Sequence, residues 1–244
     1  MLYQTGVEYG DYTMNHVQGC AHRCQYPCYA FVMKKRFGQI KDYNSWLEPY
    51  LVSNTLELLD EEIPRLRDKI QSVQLCFSTD PFMMGYPEVS TMSLAAIRKL
   101  NDNGIKCTVL TKGILPIELA DMLEENEYGI TLVSFTEAFR KRMEPHTAKY
   151  KDQLVALQAL HDRGCKTWVS IEPYPTPNLV RQNLDTILDA VAFTDKIIFG
   201  RTNYSREVSS FPGHKDFYNQ CAKRTIAFCD ERGIAYHIKD GTRT

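Results

Sequence analysis

Three cysteines, Cys20, Cys24 and Cys28, fall within nine residues in the run Gln18-Gly19-Cys20-Ala21-His22-Arg23-Cys24-Gln25-Tyr26-Pro27-Cys28-Tyr29-Ala30, at spacing C-x3-C-x3-C. Three thiolates on one loop can hold three irons of a cubane cluster and leave the fourth iron open, and an open coordination position marks a catalytic site. Two other readings stand beside this one. A zinc ion could be completed by His16 or His22, since Cys3His sites are common. Cysteines four apart could also be small core residues on one helical face. Gly19 and Pro27 interrupt any continuous helix through the run.

The chain around this loop has 244 residues, 43% of them hydrophobic and 24% charged, which is the composition of a globular protein rather than a disordered one. Lys and Arg total 29 against 30 Asp and Glu, so no strongly basic surface argues for nucleic-acid binding. The segment Met1–Glu8 has neither the basic nor the apolar region of a signal peptide. No stretch approaches the ~18 consecutive apolar residues of a membrane span. A cytoplasmic, thiol-reducing setting is expected, in which a tight cysteine cluster reads as a metal site rather than a disulfide framework. Cys107, Cys165, Cys221 and Cys229 are expected to pack as small hydrophobes, the last two beside Phe217 and Phe228. No second cluster is expected before the chain reaches Thr244.

Positioning such a loop requires a scaffold, and the remaining sequence alternates strand-like and helix-like segments. Strands are predicted at Thr13–Val17, Ser72–Asp80, Lys106–Thr111, Gly129–Phe135, Lys166–Ile171 and Lys196–Gly200, with a short terminal strand at Ile234–Ile238. Helices are predicted at Thr91–Asn101, Leu115–Glu125, Lys151–Arg163, Asn178–Phe193 and Asp216–Arg232. Repeated βα units imply a mostly parallel sheet with right-handed crossovers. Six such units suit an α/β fold of the partial (β/α)6, TIM-like barrel kind, in one domain spanning residues 1–244, and the same pattern also fits a doubly wound sheet. Chemistry then collects at the carboxyl ends of the strands.

The loop resembles that of the radical SAM superfamily, whose usual spacing is C-x3-C-x2-C with an aromatic residue before the third cysteine. Gly19-Cys20, Cys24, Tyr26 and Cys28-Tyr29-Ala30 are similar to the spore-photoproduct-lyase-like branch, with Pro27 inserted between the aromatic and the last cysteine. The loop must absorb that insertion, which removes no ligand. The resemblance continues at the strand ends, in Ser78-Thr79-Asp80-Pro81, Thr111-Lys112-Gly113 and Ser134. It implies that Cys20, Cys24 and Cys28 bind a 4Fe–4S cluster and that Tyr26, Thr79, Lys112 and Ser134 contact S-adenosylmethionine, Lys112 near its carboxylate. It implies further that Ile198, Phe199 and Gly200 lie against the adenine.

Alternation places Val73, Leu75, Phe77 and Thr79 on one face of their strand, with Cys76 directed toward the helical layer. If Thr79 faces the barrel interior, Phe77 does too. In the namesake lyase a cysteine donates hydrogen from the position of Phe77, so its chemistry on thymine dimers does not carry over. Phe77, Asp80, Glu172 and Arg201 are the candidates for lining a substrate cavity. The runs Lys34-Lys35-Arg36 and Arg140-Lys141-Arg142 read as solvated faces.

The resemblance implies an enzyme that reductively cleaves S-adenosylmethionine to a 5′-deoxyadenosyl radical, which removes hydrogen from an unidentified substrate. Its electron would come from an external donor of the flavodoxin or ferredoxin type. The alternatives are a non-catalytic iron–sulfur or zinc sensor on the same fold and, ranked lower, a DNA photoproduct lyase.

Overall fold

The computed structural model describes residues 1–243. Among these, ten strands run in chain order: β1 (Leu2–Gln4), β2 (Tyr12–Met14), β3 (Val17–Gln18), β4 (Tyr50–Leu51), β5 (Ser72–Leu75), β6 (Lys106–Thr111), β7 (Glu127–Thr131), β8 (Lys166–Tyr174), β9 (Lys196–Arg201) and β10 (Ala235–Ile238). Eight of them form one sheet in the order β1-β2-β5-β6-β7-β8-β9-β10, and β3 pairs with β4 in a separate ribbon. Every neighbouring pair from β2 to β10 is parallel, whereas β1 is antiparallel to β2. The edges β1 and β10 do not pair with each other, so the barrel is partial rather than closed.

Strand alternation divides the sheet into two faces. Val73, Leu75, Cys107, Val109, Ile130, Val169, Ile171, Ile197 and Phe199 turn outward and join Leu59, Ile97, Leu100, Leu157, Leu160 and Phe228 of the covering helices in one core. Each fully buried aliphatic side chain of this kind contributes roughly 1.5–3 kcal/mol. The covering helices include Pro87–Asn101, Tyr150–His161 and His214–Arg232. Alternate residues such as Trp168, Ser170 and Glu172 of β8 therefore face the interior.

Side chains bridge the open side of the barrel. The β1–β2 turn is closed by Thr5 N–H on the Asp11 carbonyl at 2.9 Å. It sets Glu8 beside the other edge of the sheet, with Oε2 2.6 Å from His237 Nε2 and 3.1 Å from Asp240 N, and Oε1 3.5 Å from Lys239 Nζ. Tyr9 points inward, its ring centroid 6.0 Å from Phe77, 6.2 Å from Trp168 and 5.7 Å from His237.

Several elements differ from the sequence reading. The first parallel strand is Tyr12–Met14, because the chain leaves the sheet at Asn15 and Val17 pairs instead with Leu51. Leu115–Glu125 forms only a short 3-10 turn at Ile117–Asp121, after Pro116 in an extended conformation. The helix expected from Asn178 starts at Leu184, where the Asn183 side chain accepts from Asp185 N–H at 3.0 Å. The strand expected to reach Asp80 stops at Leu75, because Cys76 adopts φ 55°.

Gly113 follows β6 where the chain passes the β5 end: a Cβ there would lie 1.7 Å from the Phe82 carbonyl oxygen. That contact is with backbone and cannot be relieved by a rotamer. Gly113→Ala is expected to destabilise the protein by about 3 kcal/mol, read as a lower urea midpoint at unchanged m-value. An unchanged midpoint would show that the two strand ends are free to separate.

Candidate active site

The cysteine loop is pinned from several sides. Gly19 has φ 79°, and a Cβ there would meet the Trp46 carbonyl oxygen at 2.8 Å; the same carbonyl accepts the Cys20 N–H at 2.8 Å. Tyr43 Oη donates to the Cys24 carbonyl at 2.7 Å, and Gln25 N–H donates to the Met143 carbonyl at 2.8 Å. Cys28 stands at the N-cap of helix Tyr29–Arg36. All three thiols are free and half-buried. Burial pushes the Cys20 thiol well up and the Cys24 thiol to about 12, with the Lys112 cation opposing the rise at Cys24. Loading a metal there must release protons.

The two histidines considered as zinc ligands have both ring nitrogens engaged. His16 Nε2 lies 2.8 Å from Ser93 Oγ and its Nδ1 3.5 Å from Cys76 Sγ. Burial lowers its pKa to about 4, so it stays neutral at physiological pH. His22 Nε2 lies 2.8 Å from Asp80 Oδ2 and its Nδ1 3.3 Å from the His146 carbonyl. Among the described residues no three His, Cys, Asp or Glu side chains converge as they would on a single ion. Three free thiols on one pinned loop are a donor set of the kind that iron–sulfur clusters take.

Two buried carboxylates tie this loop to the strand ends. Asp80 accepts from His22 Nε2, from Thr111 Oγ1 at 2.6 Å, from Lys112 N at 2.7 Å and from Phe82 N at 2.8 Å. It is 4% exposed, so the expectation that it lines a substrate cavity is corrected: its acceptor positions are filled from within. Burial alone would raise its pKa, but His22 and the other donors hold it below the ordinary carboxylate value. Glu144, which the sequence reading did not single out, accepts from Lys112 Nζ and Tyr26 Oη on Oε1 and from Tyr150 Oη on Oε2 at 2.5 Å. Lys112 Nζ also reaches Tyr26 Oη and stands 4.9 Å from the centre of its ring. The structure thus brings Tyr26 and Lys112 together beside Cys24, with Glu144 as their shared acceptor.

The other expected residues divide. Thr79 is half-buried, with Oγ1 donating to the Val17 carbonyl at 3.3 Å. Ser134 is fully buried and accepts from Thr136 N–H at 3.0 Å, so its hydroxyl is not presented to an open cavity. Ile198 and Gly200 lie on the inner face, but Phe199 packs outward against Tyr174 at 5.4 Å between centroids. Three consecutive strand residues cannot all face one ligand, and the expectation for Phe199 is corrected on that ground. Phe77 does reach the interior, for a different reason from the one expected. Val73 and Leu75 face the helices, and the φ of 55° at Cys76 breaks the alternation and turns Phe77 toward Tyr9.

Glu172 faces inward, its pKa raised by burial, with Lys239 Nζ 3.8 Å away. Gly200 makes room for both, since a Cβ there would lie 2.9 Å from Glu172 Cγ and 3.1 Å from Lys239 Cγ. Arg201 donates Nε–H to Asn203 Oδ1 at 2.8 Å and makes no ion pair with a carboxylate among the described residues. Tyr9 and Lys239 were missed because they reach this interior from opposite ends of the chain.

Asp80 gives a signed pH dependence. Its folded pKa is depressed, so its contribution is complete above the ordinary carboxylate pKa and is lost as pH falls through the folded value. Asp80→Ala is expected to cost about 3 kcal/mol near neutrality, and the gap to wild type should close as pH falls below the carboxylate range. Denaturation midpoints across pH check this; a gap independent of pH would exclude the ionised carboxylate as the source.

An uncharacterized protein, ORF301, of Acidianus two-tailed virus is 25% identical over 195 residues, covering 76% of this chain and 64% of the viral protein. The chain thus spans less than two thirds of that relative's length. Spore photoproduct lyase complexed with dinucleoside spore photoproduct superposes with a TM-score of 0.70 at 13% identity, covering 98% of this chain and 78% of the lyase. Streptococcus suis SuiB bound to S-adenosylmethionine superposes with a TM-score of 0.53 at 14% identity, covering 73% of this chain and 42% of SuiB. These likenesses show the partial-barrel fold. The sequence profile of the radical SAM superfamily matches residues 14–191, a span that holds the three cysteines and both buried carboxylates. The chain belongs to the radical SAM superfamily.

Proposed function

We propose that Cys20, Cys24 and Cys28 hold a 4Fe–4S cluster and that this chain is a cytoplasmic, single-domain enzyme acting on a substrate admitted to the barrel interior. The observation that carries the reading is the pinned loop of three free thiols at the strand ends, inside the span matched by the superfamily. A cluster of this kind with S-adenosylmethionine on its open iron supplies, on one-electron reduction, the 5′-deoxyadenosyl radical for hydrogen abstraction. The electron comes from an external donor. No helix among the described residues is long and apolar enough to cross a membrane.

The protein's own part is placement. Lys112 offers a cation for the carboxylate of S-adenosylmethionine, and Glu144 and Tyr26 fix where that cation stands. Ile198 on the inner face gives the adenine an apolar wall, and Glu172 and Lys239 pack against Gly200 beside it. Glu172, Lys239 and Phe77 line the interior beyond, where polar groups orient the substrate and aromatic walls exclude water; Arg201, two residues past outward-facing Phe199 on β9, falls on the other face of the sheet. Phe77 offers no thiol from which a substrate radical could take hydrogen, which argues against transferring the photoproduct lyase reaction. That Spore photoproduct lyase is complexed with a photoproduct, and SuiB with a precursor peptide, leaves the substrate class of this chain open to assay.

Anaerobic reconstitution with iron and sulfide, followed by dithionite and S-adenosylmethionine, is expected to yield 5′-deoxyadenosine. No product from fully loaded protein would overturn the enzyme reading. Cys24→Ala should abolish both iron retention and product. Lys112→Met removes a charge-assisted contact worth ~1.5–3 kcal/mol, so S-adenosylmethionine should bind about 10- to 100-fold more weakly by equilibrium dialysis while iron content is kept. Unchanged binding would remove Lys112 from the cofactor site.

A further inference from the structure

The carboxylates at the top of this barrel differ in how they are satisfied. Asp80 accepts from His22, Thr111, Lys112 and Phe82, and Glu144 from Lys112, Tyr26 and Tyr150. Glu8 accepts from His237 and from Asp240 N–H. Glu172 faces the interior near the end of β8, yet among the described residues nothing donates a hydrogen bond to its carboxylate. Its nearest cation, Lys239 Nζ, stands 3.8 Å from Oε2 and is shared with Glu8 Oε1 at 3.5 Å. Gly200 makes room for the group, because a Cβ there would lie 2.9 Å from Glu172 Cδ.

Two hydroxyls deeper in the interior are in the same condition. Ser170, two residues earlier on the inward row of β8, is 3% exposed, and Thr131, its register partner on β7, is 4% exposed. Neither hydroxyl makes a hydrogen bond among the described residues. Buried polar groups without partners cost stability. Three of them side by side on an inner face are the few convergent polar groups that orient a bound molecule. The space beside Glu172 is also walled by rings. Lys239 Nζ lies 5.2 Å from the centroid of Tyr9, which neighbours Phe77 and Trp168 at 6.0 and 6.2 Å. An ammonium is thus already accommodated between carboxylates and a ring face, a setting that favours organic cations. Burial raises the Glu172 pKa, and a cation brought to it would lower it again.

We infer that Glu172, with Ser170 and Thr131 below it, binds the protonated amino group of the substrate, so that the molecule this barrel admits is a primary amine. The inference rests on the proposed function, whose substrate it assigns to a chemical class. An ammonium carries three N–H donors, enough for the carboxylate and both hydroxyls, and its hydrogen bond to a carboxylate is charge-assisted. It also supplies the positive charge that Glu8 and Glu172 now draw from one lysine. An alcohol would bring a donor without the charge. A phosphate or carboxylate would set like charge against Glu172, which disfavours a nucleic-acid backbone at this end of the cavity.

The test uses the oxidised holoenzyme, with and without saturating S-adenosylmethionine, and three probes of equal chain length: pentylamine, 1-pentanol and pentanoate. Calorimetric titration near neutral pH measures their binding. Pentylamine should bind about 10-fold or more tightly than either of the others, and S-adenosylmethionine should not displace it. Glu172→Gln keeps the shape and removes the charge, and it should abolish the preference for the amine. Glu172→Asp keeps the charge and should keep the order of the probes. Ser170→Ala should weaken pentylamine roughly 3- to 10-fold and leave 1-pentanol unchanged, whereas a loosened fold would weaken all three probes alike. Absence of pentylamine binding, equal binding of the three probes, or a preference that survives in Glu172→Gln would overturn the inference. Displacement of pentylamine by S-adenosylmethionine would overturn it too, by giving Glu172 to the cofactor. Selective amine binding by a protein that forms no 5′-deoxyadenosine would keep the subsite and remove the enzyme reading. Formation of 5′-deoxyadenosine without amine selectivity would do the reverse.

Discussion

One buried carboxylate organises the top of this barrel. Asp80 receives a side chain of the cysteine loop, two groups from the end of β6 and the backbone of its own turn, all at hydrogen-bond distance. A charge taken out of water must find such donors or cost several kcal/mol, so the four groups that meet it are not independently mobile. The relative placement of His22, Thr111 and Lys112 follows from that requirement. So does the height of the thiols above the sheet, because His22 lies between Cys20 and Cys24.

Glu144 repeats the arrangement two strands further on, past β7, with a different consequence. Its partners Lys112, Tyr26 and Tyr150 include a cation that keeps 17% of its side-chain surface exposed. The pair is therefore anchored at one end and open at the other. A lysine held in this way presents its remaining N–H in a fixed direction, which an isolated flexible side chain does not do. Asp80 makes the scaffold rigid, and Glu144 makes one functional group on it directional.

Much of this arrangement was legible in the sequence where the signal is local. The cysteine spacing, the strand-to-helix alternation and the terminal Lys112 are each carried by a few adjacent residues. What could not be read locally is what depends on partners far along the chain. Asp80 looks like a cavity residue until His22 and Lys112, 58 and 32 residues away, are seen to surround it. Glu144 sits in an unremarkable helix end until its ring of donors assembles. Phe77 faces inward only because Cys76 leaves the strand conformation, a backbone event that alternation counting cannot anticipate. Phe199 fails on the opposite ground, since there the alternation is regular and overrides the grouping of neighbours suggested by resemblance.

The unpaired sheet edges carry a last implication. Between β1 and β10 the barrel wall is made of Glu8 reaching His237, Lys239 and Asp240, with Tyr9 filling the space behind. A wall of strands opens only by breaking a ladder of backbone hydrogen bonds, whereas a seam of a few side chains can part while every strand keeps its neighbours. The two ends of the chain thus form a seam whose opening is a local event, and a molecule too large to descend through the strand ends would have a second way in from the flank.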